Sequence, residues 1–171
     1  MLARRALKGG LPLIPAAMKL MDEIMAPVPM EPAGDAPLEA EARAVTAMKK
    51  IALMVLGTAM QTYGEKLADE QEVLMAAADI IIDVYGAESA LLRASRNGGE
   101  LHAAAARLFI NDAVARVEAS AKTALAAMAD GDMLRTLLAA LRRLLKVTPI
   151  NTVALRRQLA DATVDRRSYP F

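Results

Sequence analysis

Residues 69–96, DEQEVLMAAADIIIDVYGAESALLRASR, decide the fold class of this chain. Within them Val73, Ala76, Ala77, Ile80, Val84, Ala87, Leu91 and Ala94 recur at steps of three and four, the spacing of one face of an α-helix. Burying the larger members of such a face is worth roughly 1.5 to 3 kcal/mol per side chain. A lone helix in water cannot collect that energy, so flanking helices must bring matching stripes. The residues therefore predict an all-α protein assembled around apolar helix faces.

Composition agrees. Of 171 residues 55% are hydrophobic but only 3% aromatic, so Ala, Leu, Val, Ile and 11 Met must build the core. Small and flexible side chains suit closely packed helices, and the lack of aromatics argues against a β-sandwich or a base-stacking platform. A chain of this size supports one domain and buries roughly 70% of its unfolded surface. It contains no Cys, which excludes disulfides, thiolate chemistry and Cys-ligated metal sites, and which fits a reducing, cytoplasmic compartment. The net charge of +1 favours neither nucleic acid nor membrane. Residues 131–171 are more basic, with eight Lys or Arg against three Asp, and read as a solvated or interdomain face. Without Gly-rich loops or aromatic interleaving they are no nucleic-acid surface.

Other helices flank the first. Residues 1–25 read as a helical arm: a basic turn stopped by Gly9, Gly10 and Pro12, then a helix from Pro15 with an oily side of Ile14, Met18, Met21 and Met25. Arg4, Arg5 and Lys8 before an apolar stretch imitate a signal peptide loosely, but Pro12 and Pro15 interrupt it. Residues 26–36 hold three prolines and read as a linker. From residue 37 onward the pattern predicts a bundle. Helices are expected over 37–63, 69–96, 100–129 and 133–147, with breaks at Gly64, at Asn97 to Gly99 and at Asp130 with Gly131. Expected core faces include Val45, Met48 and Val55 on the first, Ala104, Val117 and Ala121 on the third, and Leu134, Leu137 and Leu141 on the fourth. A short last helix follows, capped by Thr or Asn, with Pro149 in its first turn and Val153, Leu155 and Leu159 as its apolar residues. Short connections favour antiparallel neighbours, so the expected architecture is an antiparallel up-down four-helix bundle with an N-terminal helical arm and a short C-terminal helix. The most apolar run, residues 51–60, is too short to cross a bilayer.

Chemistry is sparse. His102 is the single histidine and sits among alanines, so neither a Glu-x-x-His di-iron motif nor a His-x-x-x-His zinc motif exists. Asp79 and Asp83 stand four apart, within reach of one face with Glu72 or Glu88, and read as a polar stripe rather than an acid–base pair. Arg93 is placed to pair with Glu88 or with a neighbouring helix. No G-x-S-x-G, P-loop or G-x-G-x-x-G occurs. We therefore expect no catalytic, cofactor-binding or metal-binding residue in this chain.

Several strings nevertheless resemble one family. ARRALKGGLPL at the start, KKIALMVLG, YGAESALLR and TPINTVALRRQ are similar to the tail of FadE-type, very-long-chain-like bacterial acyl-CoA dehydrogenases, with the last two the most specific. The resemblance spans nearly the whole chain, residues 26–37 being its loosest part. It implies that residues 1–25 close the main acyl-CoA dehydrogenase domain and that residues 37–171 form an added C-terminal helical domain packed against it. It also implies that FAD, the fatty acyl-CoA and the catalytic glutamate belong to a preceding domain ending in a segment like FEGTNEINRL, beyond which this chain starts. Expected on that basis are a non-catalytic scaffold role in fatty acid β-oxidation, no cofactor in this chain with FAD in the parent enzyme, and a homo-oligomer, as a dimer. A stand-alone helical protein meeting a membrane surface or lipid through its Met-rich arm is the alternative.

Overall fold

The computed structural model describes residues 15–17, 19, 37–168 and 170–171. Five α-helices order the chain from residue 37 onward: α1 (Glu39–Tyr63), α2 (Gln71–Asn97), α3 (Glu100–Met128), α4 (Gly131–Leu144) and α5 (Thr152–Arg166), with a 3-10 helix over Gly64–Asp69 between α1 and α2. No strand occurs among the described residues.

The packing order closes a ring. α1 lies beside α2, α2 beside α3, α3 beside α4, and α4 returns to α1, while α1 and α3 touch across the diagonal. Cross-helix contacts give the directions. Glu41 reaches Arg107 near the starts of α1 and α3, and Tyr63 donates its hydroxyl to the Ala127 carbonyl near their ends, so these two run in the same sense. Asp83 meets Arg116 while Gly86, further along α2, lies under Phe109, earlier on α3, so these two run oppositely. This is the up-down four-helix arrangement that the short connections predict.

The predicted inner face of α2 is the observed one. Val73, Ala77, Ile80, Ala87 and Ala94 are buried, and Ala76, Val84 and Leu91 pack against the same core. Partners come from α1 (Met48, Ile51, Met54), α3 (Ile110, Leu125) and α4 (Leu137, Leu141), all nearly without solvent contact. Alanines at Ala59, Ala77, Ala113 and Ala121 let the backbones approach closely. α1 is buried more widely than its predicted stripe, since Ala44, Ile51, Met54 and Met60 are buried as well. The reason is that it faces α2, α3, α4 and a piece of the arm: Ala17 is buried, and its Cβ would lie 2.5 Å from a Cβ placed on Gly57. α1 and α3, rather than α2, touch the most other helices.

Helix ends differ from expectation in instructive ways. Gly64 stops α1 at φ 53°, its N–H bonded to the Met60 carbonyl, as a left-handed stop requires. Asp69, the first residue of the helix expected over 69–96, instead ends the 3-10 helix, and α2 begins at Gln71 after Glu70, which caps without its side chain. α1 begins at Glu39 because Leu38 takes a left-handed φ of 63° and its carbonyl accepts from Ala42 N. α4 begins two residues and ends three residues earlier than predicted, Gly131 entering it at φ 49°. Pro149 lies outside α5, whose cap is Asn151: its side-chain oxygen accepts from Ala154 N at 3.1 Å. α5 buries no residue and is held to α3 by polar contacts, Arg156 to Asp112 at 2.7 Å and Gln158 to Glu100 at 2.9 Å. Of the arm, residues 15–17 and 19 are helical; the rest of it and the proposed linker over residues 26–36 fall outside the described residues.

Candidate interaction surface

No described side chain that is polar or charged is buried, and no described group of three metal-ligating residues converges. The polar residues singled out in the sequence sit at the surface and mostly tie helices together. Asp83 receives Arg116 in a two-pronged grip, Nε to Oδ1 at 3.0 Å and to Oδ2 at 3.1 Å, with Nη2 to Oδ1 at 2.6 Å. That hydrogen bonding raises the Arg116 pKa above its ordinary value against a smaller opposing effect of burial. Glu88 points the other way and pairs with Lys49 of α1, so it does not pair with Arg93. Asp79 and Glu72 remain exposed on the side of Asp83. The four carboxylates therefore do not form one site: Asp83 braces α2 to α3 and Glu88 braces α2 to α1.

His102 lies in a shallow recess of about 670 Å³ with Leu92, Arg93, Arg96, Asn97 and Phe171. Its Nε2 is 3.4 Å from Asn97 Nδ2, and its ring meets the Phe171 ring edge-on at 5.2 Å. These contacts fasten the end of the chain to the α2–α3 corner. A second recess, about 460 Å³, lies between the start of α1, α3 and the α4–α5 connection, with Ile110, Leu144 and Val147 as apolar lining and Arg43, Arg107 and Lys146 as cations. Arg43 and Arg107 already face Glu39 and Glu41. The predicted basic face is partly spent likewise, as Arg156 pairs with Asp112 and Arg135 with Asp132.

The feature that reading for chemistry overlooked lies on the outer side of α2. Met75, Ile82, Tyr85 and Leu92 are 61 to 75% exposed. With Ala78 and Ser89 they follow steps of three and four, a seam on the face opposite the core. Phe109 of α3 extends it, because Gly86 has no Cβ and the ring lies over that gap: an added Cβ would meet Phe109 Cζ at 2.7 Å. The ion pairs Lys49–Glu88 and Asp83–Arg116 run along the two sides. An apolar centre with a charged rim is the anatomy of a protein contact surface.

A family model described as "Acyl-CoA dehydrogenase, C-terminal domain" matches residues 47–143, from within α1 almost to the end of α4. The chain belongs to this family. It is 41% identical over 173 residues to a probable acyl-CoA dehydrogenase of Bacillus subtilis (strain 168), covering 97% of this chain and 29% of that protein. It is 40% identical to the acyl-CoA dehydrogenase of Bacillus anthracis whose crystal structure is a complex with FAD, at a TM-score of 0.90, again over 97% of this chain and 29% of the other. This acyl-CoA dehydrogenase C-terminal domain thus spans under a third of the length of these relatives. The four bundle helices carry the family match; α5 lies beyond residue 143, within the 97% of the chain that the two relatives cover. The stand-alone membrane-surface alternative finds no support in these likenesses, and no described helix is long and apolar enough to cross a membrane.

Proposed function

We propose that this chain is the C-terminal accessory domain of a FadE-type, FAD-dependent acyl-CoA dehydrogenase of fatty acid β-oxidation, with a structural and assembly role. The observation that carries the reading is the coverage: nearly all of this chain corresponds to less than a third of a protein crystallised as an FAD complex. In this reading the flavin, the acyl-CoA and the catalytic base belong to the other, larger part of the enzyme. No catalytic, cofactor-binding or metal-binding residue is assigned to this chain. Its charged residues have a mechanical task instead, since Asp83, Glu88 and Asp112 each join two helices. Residues 1–25 close the main domain, residues 26–36 link, and residues 37–171 form the bundle. The enzyme is cytoplasmic and works as a homo-oligomer.

An antibody raised against residues 39–63 tests this in lysate of the source cells. The expected result is a flavin-carrying polypeptide more than three times as long as this chain, as the 29% share implies. A single band at 18.2 kDa without flavin overturns the proposal.

A further inference from the structure

We infer that the outer face of α2, with Met75, Ile82, Tyr85 and Leu92 at its centre and Phe109 at its edge, is the surface by which this bundle docks on the larger part of its own enzyme. The inference rests on the proposed function and names the contact through which that function is exerted.

Three observations select both the face and its occupant. Large apolar side chains exposed on a water-facing helix cost solvation, and scattered single ones are common, but four in helical register on one face with a fifth beside them form a contiguous patch. The patch is also built: Gly86 keeps the α2 surface open so that Phe109 can lie across it, and Arg116 stands over the same ring at 5.6 Å while gripping Asp83. Its extent then decides who covers it. Residues 75–92 span about 26 Å of helix, and five large side chains fall short of the roughly 20 to 30 residues a side that free-standing associations use. A second copy held by this seam alone would separate readily. A partner in the same polypeptide needs only roughly 600 to 1,500 Å² of contact, because linkage supplies an effective concentration of about millimolar. The relatives carry such a partner, since about 71% of their length lies outside the part this chain matches. Glu72 and Asp79 at one end of the face and Arg93 and Arg96 at the other orient it, calling for cationic and acidic surface respectively on the docked side.

The chain has no cysteine, so single cysteines report on each face cleanly. Ile82→Cys and Tyr85→Cys place thiols in the patch, and Val164→Cys places one on α5, where the side chain is 72% exposed. Each is labelled with a maleimide, in this chain alone and in the full-length enzyme, and the extent at that peptide is read by mass spectrometry, with the melting midpoint of each variant as the check on folding. We expect all three to label at similar rates in the chain alone, and the two patch thiols to slow at least tenfold in the full enzyme while Cys at 164 keeps its rate. Equal labelling of all three in the full enzyme overturns the docking face and leaves the proposed function standing. Protection of the patch in the chain alone that grows with concentration overturns it too, and assigns the face to a second copy. A native protein no longer than this chain overturns both the face and the reading on which it rests.

Discussion

Asp83 and Gly86, three residues apart on α2, show how single positions set this fold. The Asp83–Arg116 grip joins α2 to α3 at the surface, with Arg116 half exposed, so solvent screens most of its attraction. Asp83→Asn should cost at most about 1 kcal/mol in denaturant unfolding, and less in high salt; a larger, salt-insensitive loss would mean that the pair does more than brace. Gly86 inverts an ordinary rule. Inside a helix Gly→Ala gains about 0.8 to 1 kcal/mol, yet here the new methyl would meet the Phe109 ring. Gly86→Ala should therefore be neutral to destabilising by about 1 kcal/mol. In a Phe109→Ala background the same change should stabilise by about 0.5 to 1 kcal/mol. A double-mutant cycle measures that coupling, and strictly additive effects would contradict the packing.

Among the elements, α2 carries two seams and α5 carries none. The inner seam of α2 was legible from spacing alone: all eight of its predicted positions are buried or packed on the core. The outer seam obeys the same three-and-four spacing, offset around the helix, and the signal was present in Met75, Ile82, Tyr85 and Leu92. It is hidden by the reflex of assigning a helix one apolar face and treating the remainder as solvated. The breadth of burial on α1 was not legible, because it depends on how many helices surround α1, which periodicity does not encode. Nor were the carboxylate partners, since whether Glu88 meets Arg93 or Lys49 is fixed by the rotation of α2 against α1. α5 shows the limit of apolar pattern reading: Val153, Leu155 and Leu159 predicted a buried stripe, while polar contacts and the Asn151 cap hold the helix. Asn151→Ala should remove about 1 kcal/mol from α5 alone, speeding amide exchange over residues 152–166 roughly fivefold with little change in the global melt. A matching drop in global stability would show that α5 unfolds together with the bundle.

At the scale of the whole molecule, the absence of chemical motifs was as informative as the helical pattern. A chain with no cysteine, one histidine and carboxylates that join helices is equipped for packing. Its stability rests on the shared core, so Ile80→Asp, at a position with no solvent exposure, should abolish cooperative melting by circular dichroism. Retained helicity and a sharp transition in that variant would contradict the core as described. In the function we propose, this bundle supports an acyl-CoA dehydrogenase without itself performing the reaction. The most direct test of that role is the visible spectrum of the purified chain together with reduction of an electron acceptor in the presence of long-chain acyl-CoA. No flavin absorbance and no turnover are expected; a flavin band bleached by acyl-CoA, with acceptor reduction, would contradict the proposed role.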